Sequence, residues 1–219
     1  MSIKVSHSIN KLFLFFLTTV ILAYCNHSDR SQEENTSTKK LSKSEEVVSS
    51  LMQDEFGCVL KGDTDLSQIN GVPIAFYLEH EEIDQLSKAY FKGEYQITDD
   101  EKTFGLMDSL DTKNEVTRPL YFYNMFKMVG VTDGALTEII GQYIADYVAK
   151  FPQEFVCYMQ QEPFSYREKD YLFLIGFNLY SNKMRKEFSK KVVKACEQCP
   201  QPTQAKLDEY LARIAAIKE

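Results

Sequence analysis

The stretch Asp133–Lys150, DGALTEIIGQYIADYVAK, decides the fold. Leu136, Ile139, Ile140, Tyr143, Ile144, Tyr147 and Val148, with Phe151 just beyond, recur at i, i+3, i+4, i+7, i+8, i+11, i+12 and i+15. That spacing puts every one of them on one face of a 3.6-residue helix, with polar side chains opposite. A strand of this length would need strict alternation, which the stretch does not have.

The same pattern extends outward in both directions. Upstream, Pro119 stands where a first helical turn begins, and the run from Leu120 to Val129 is almost wholly apolar. Downstream, Pro152 opens a short helix through Phe155, Val156 and Met159. Ser165 and Glu168 match a capping box ahead of an apolar helix with Leu172, Phe173, Leu174, Ile175, Phe177 and Leu179. Lys183–Cys196 is basic and helical in pattern, with Met184, Phe188, Val192 and Val193 expected inward. A last helix starts near Thr203 and carries Leu207, Tyr210, Leu211, Ile214 and Ile217 on one face.

The first half is read more coarsely. Ser42 with Glu45 opens a helix carrying Val47, Val48, Leu51, Met52 and Phe56, and Gly57 is its stop. Residues 58–72 form a connection closed by the turn signal Asn70-Gly71. Pro73 opens a helical stretch through Ile83, Leu86, Tyr90 and Phe91 to Gly93, and Thr98 or Asp99 caps another that runs to about Leu110. With only 9 Gly and 6 Pro, the chain is poor in the residues that many short strands require. The expectation is an all-α fold of about eight or nine helices, either a compact multi-helix bundle or a short α–α superhelix. No motif repeats at a fixed period, so no named solenoid is implied.

The N-terminus differs in kind. Lys4 and Lys11 precede the run Leu12–Tyr24, LFLFFLTTVILAY, whose 13 residues suit a signal h-region. A helix spanning a bilayer needs about 20. Leu22-Ala23-Tyr24-Cys25 resembles the lipobox of bacterial lipoproteins, although Tyr24 stands where that family carries Gly, Ala or Ser. The resemblance covers only these first 25 residues. It implies lipidation of Cys25 and a membrane anchored through that lipid. Ordinary secretion, with cleavage after Ala23 or Cys25, is the alternative. Asn26 does not resemble the Asp-based inner-membrane retention signal, which implies anchoring at the outer membrane, facing the periplasm or exterior, if the cell has one.

Residues 26–42 hold one large apolar residue, Leu41, so this segment reads as a flexible tether spanning roughly 20–25 Å root-mean-square. The expected organisation is a signal segment over 1–25, a tether over 26–42 and a helical domain over 43–219. Without Lys4 and Lys11 the chain keeps 23 basic against 32 acidic residues. A net negative surface repels phosphate backbones, so nucleic acid is not an expected partner.

Chemistry is constrained mainly by what the residues exclude. His7 and His27 lie in the signal and tether, leaving His80 alone in the domain, and no H-E-x-x-H is present. His80, within Glu79-His80-Glu81-Glu82, reads as a polar helix surface. Asp63-Thr64-Asp65 fails as a calcium loop, because Gln68 replaces the required Gly and Ile74 the required Glu. No metal site, cofactor motif or catalytic residue is assigned.

Cys58, Cys157, Cys196 and Cys199 are an even set in an exported chain, which implies disulfides, within Cys196/Cys199 or from either of them to Cys58 or Cys157. The C-x-x-C pair lies at a helix C-terminus, where the dipole opposes a thiolate, so redox catalysis is the weaker reading. Arg118, Tyr121, Phe122 and Tyr123 form the candidate protein-binding group, since three consecutive aromatic side chains point different ways around a helix. The competing reading has tyrosine hydroxyls reaching the rim of a core.

Three functions follow: a non-enzymatic binding or scaffolding lipoprotein with an unidentified protein partner, a periplasmic inhibitor or immunity protein against an exported toxin, and a carboxylate-dependent enzyme, or one pairing His80 with a Cys.

Overall fold

The computed structural model describes residues 54–58, 67–132 and 134–217. Readings that fall on residues 1–53, among them Cys25, the tether and the Ser42–Glu45 box, lie outside the described residues, as does Asp63-Thr64-Asp65. The described chain is all-α apart from one hairpin, β1 (Gln68–Ile69) paired antiparallel with β2 (Val72–Pro73). Nine α-helices follow among the described residues: α1 (Ile74–Glu79), α2 (Gln85–Lys92), α3 (Glu101–Asp108), α4 (Arg118–Val129), α5 (Gly134–Lys150), α6 (Pro152–Met159), α7 (Glu168–Asn178), α8 (Asn182–Ala195) and α9 (Gln201–Ala215). Two 3-10 turns, Ser109–Asp111 and Phe164–Arg167, lead out of α3 and into α7.

Helix α5 sits among α3, α6, α7 and α8, and its predicted face is the buried one. Leu136, Ile140, Ile144, Tyr147 and Val148 are buried, while Ile139, Tyr143 and Phe151 are partly so. The buried face also includes Gly141, where α7 comes so close that a Cβ would meet Leu174 O at 2.6 Å. Helix α4 has no exposed residue at all. Neighbours cover every side, as expected of a central helix, and its polar side chains Arg118, Asn124 and Lys127 donate to groups of those neighbours. Phe122 lies stacked on Tyr158 at 4.0 Å between centroids, with Tyr147, Phe164 and Tyr171 around it at 5.1–5.8 Å.

Helix ends follow side-chain chemistry. Asp84, Asp100 and Ser181 each accept a backbone N–H three residues on, from Ser87, Thr103 and Met184. Gly93 closes α2 with φ +80°, a left-handed conformation that costs glycine nothing.

Five readings of the sequence are corrected here. The stretch after Pro73 is two helices, because the Asp84 cap starts α2 afresh and the chain extends at His80. His80 therefore lies in the break between helices, where its carbonyl accepts from Lys88 Nζ at 2.7 Å. The cap of α3 is Asp100, one residue after Asp99. Ser165 caps nothing in its 3-10 turn, and Glu168 instead reaches across to Tyr210 and Arg213 on α9. Val193, expected inward, is 53% exposed. The Asn70-Gly71 turn is present, with both residues at positive φ (+52° and +73°), and closes the short hairpin.

Candidate functional site

The polar centre of the molecule begins at the first residue of α4. Arg118 is 1% exposed, yet it carries a full charge. Its Nε donates to Glu154 Oε2 at 2.8 Å and its Nη2 to Glu154 Oε1, the bidentate fork that suits a carboxylate. Its Nη1 donates to the Thr112 carbonyl at 2.8 Å, and the guanidinium lies 3.8 Å from the centroid of the Phe151 ring. Glu154 sits in the first turn of α6, where the helix dipole favours an acid, and it accepts a further bond from Tyr147 Oη at 3.0 Å.

Arg118, Phe151 and Glu154 help to line a cleft of about 300 Å³, together with Lys150, Cys157, Tyr158 and Cys199. Burial pulls the Arg118 guanidinium down, but the bonds and charge of Glu154 outweigh it and hold the group above its ordinary value. Burial and the same carboxylate push the Tyr147 and Tyr158 phenols well above theirs. At neutral pH both tyrosines therefore act as hydrogen-bond partners and not as bases. The Glu154 oxygens already take three donors, and Lys150 is paired with Asp111. Arg118 and Glu154 are thus committed to each other, while Glu115 on the lining of the same cleft has no ion-pair partner among the described residues.

The sulfurs are paired as Cys58–Cys157 and Cys196–Cys199, with Cα separations of 5.3 and 4.9 Å. The second pair closes just past the end of α8, for which Cys196 is the C-terminal cap. The segment bearing Cys58 is held further by Thr203 Oγ1, which donates to Phe56 O at 2.7 Å, and by Gln153 Nε2, which donates to Phe56 O and Gly57 O.

The candidate binding group read from the sequence is corrected as a surface. Arg118, Tyr121 and Phe122 are buried, and Tyr123 is half-buried against Phe91, Phe126 and Phe164. Tyr121 Oη reaches the Glu82 carbonyl at 3.5 Å, as the core-rim reading expects. His80 and a thiol do not meet: each cysteine of the described chain is paired with another, and His80 Nδ1 accepts the Glu82 N–H at 3.2 Å. Among the described residues, no three His, Cys, Asp or Glu side chains are grouped to hold a metal ion. Sequence reasoning missed Glu154 and Tyr147. They lie 36 and 29 residues from Arg118, and no local pattern links them to it.

Fold and site together define the class: an all-α domain with two cysteine pairs around a buried arginine–carboxylate network. No family model, curated protein or solved structure matches the chain.

Proposed function

We propose that the protein is an exported, lipid-anchored helical module that binds or scaffolds another protein in the cell envelope, without chemistry of its own. The observation that carries this reading is the pairing of Cys58 with Cys157 and Cys196 with Cys199. Pairs of this kind persist in oxidising compartments and are rare where thiols are kept reduced. They support export, as does the 13-residue apolar run ending at Tyr24, and Cys25 directly after that run supports lipidation. The commitment of Arg118 and Glu154 to each other supports binding over catalysis at that pair. The domain then sits at the outer membrane, facing the periplasm or exterior.

Metabolic labelling with a fatty acid tests the anchor. Label is expected on the wild-type protein, in the membrane fraction, and absent from Cys25→Ala. A mature protein that carries no label and leaves with the soluble fraction would establish plain secretion in its place.

A further inference from the structure

The outward side of α7 is unlike the rest of the surface. Its inner side buries Tyr171, Leu172, Leu174 and Ile175, as a surface helix should. Its outer side carries Phe173 and Phe177, 53% and 46% exposed, four residues apart with rings stacked at 6.0 Å. Tyr180, 66% exposed, follows three residues later in the link to α8. Single exposed apolar side chains are ordinary, but a contiguous aromatic row marks a contact surface.

Helix α8 continues from that corner with the opposite chemistry. Lys183, Lys186, Lys190 and Lys194 recur at i, i+3, i+7 and i+11, and all four are exposed on one face. Lys183 pairs with Glu187, the helix's one acid, at 4.0 Å. Lys186, Lys190 and Lys194 have no carboxylate partner among the described residues. This basic face belongs to a chain with an excess of acid overall. The corner is also fixed in shape. Arg185 donates to Leu179 O at 2.7 Å, to Gly176 O at 3.4 Å and to Ala215 O at 3.4 Å, fastening the start of α8 to the ends of α7 and α9.

We propose that the α7–α8 corner is a membrane-contact face. Phe173, Phe177 and Tyr180 enter the headgroup boundary of an anionic bilayer, while Lys183, Lys186, Lys190 and Lys194 lie over its phosphates. Aromatic side chains favour that boundary, and each lysine near an anionic surface strengthens partitioning by about five-fold. The proposal rests on the tethered reading for its occupant. Only 28 residues separate Cys25 from Asp54, so an anchored domain stays close to its own bilayer and a weak face is enough to orient it. The negative remainder of the surface is repelled by the same lipids, which leaves this corner as the side that lands.

The test uses the mature chain, residues 25–219, prepared without lipid, so that the anchor plays no part. It is sedimented with vesicles of phosphatidylcholine alone and of equal parts phosphatidylcholine and phosphatidylglycerol. Binding is expected to the mixed vesicles only, to fall as salt is raised, and to drop by about ten-fold or more in Phe173→Ser/Phe177→Ser. Lys186→Glu/Lys190→Glu should abolish it, with an unchanged far-UV circular dichroism spectrum for both variants. Failure to sediment with either vesicle, or binding indifferent to the two phenylalanines, overturns the proposal. So does tighter binding to soluble polyglutamate than to vesicles, which would point to an acidic protein. Because no lipid is attached here, failure leaves the labelling result standing, and failed labelling leaves this result readable.

Discussion

At the scale of single residues, the Arg118–Glu154 pair is unequal, and the inequality makes a prediction. Arg118 is sealed in, whereas the Glu154 side chain is 35% exposed. Removing the carboxylate strands a buried charge, while removing the guanidinium leaves an acid that water can still reach. Glu154→Ala is therefore expected to cost about 3 kcal/mol or more, and Arg118→Met, whose chain still packs on Phe151, about 1–2 kcal/mol. Urea unfolding with an unchanged slope measures both, and equal midpoints for the two variants would refute the asymmetry. The tyrosines set the alkaline limit. Burial raises Tyr90 and Tyr121 from an ordinary value near 10 to about 12. A phenol raised on folding contributes stability that is whole below pH 10 and is lost as pH rises toward 12. The phenolate absorbance of the buried tyrosines is expected to rise together with loss of helical dichroism in that window. Full phenolate absorbance from all the tyrosines reached reversibly near pH 10 with the helices intact would contradict it.

At the scale of elements, two glycines in helices should respond in opposite directions to the same change. Gly141 on α5 faces the α7 backbone, where an added Cβ would sit 2.6 Å from Leu174 O, so the helices must part. Gly105 on α3 is exposed with nothing within 4 Å of such a Cβ. Alanine is the better helix former by about 1 kcal/mol, and at Gly105 that gain is uncontested. Gly141→Ala is expected to destabilise by about 1–2 kcal/mol net of the same gain, because overpacking outweighs it. Thermal melts of the two variants check the signs, and a Gly141→Ala protein that melts above wild type would deny the close approach. The same elements show what local sequence can and cannot reveal. Helices α5 and α9 were legible because an apolar face repeats along each, and α4 and α6 because prolines mark their starts. The break at His80–Asp84 was hidden, since an aspartate within a polar stretch reads equally as a cap or as solvated surface. The hairpin at Gln68–Pro73 is too short to alternate. The Ser165–Glu168 pattern misled because Glu168 has a stronger claim on it from Arg213, 45 residues away. The candidate site was the least legible: a buried arginine is identified by its partner, and Glu154 comes from another helix.

At the scale of the whole molecule, the two cysteine pairs do different work, because one closes a long loop and the other a short one. Cys58 and Cys157 are 99 residues apart in sequence, so their bond removes a large share of the unfolded chain's freedom, about 4–5 kcal/mol by loop entropy. Cys196 and Cys199 are 3 apart, and the same reasoning gives about 2 kcal/mol. The long pair also fixes the point at which the chain from the N-terminal side joins the helices, beside the bonds from Thr203 and Gln153 to Phe56. A domain held through that segment by a membrane anchor would transmit any pull to the core at Cys58. Cys58→Ser/Cys157→Ser is thus expected to lower the urea midpoint by clearly more than Cys196→Ser/Cys199→Ser, and reduction of the wild type, which opens both pairs, should lower it further than either variant. If the short pair proved the costlier loss, loop closure would not be what its partner contributes. The C-x-x-C bond would then have to stabilise the α8–α9 junction through the native state.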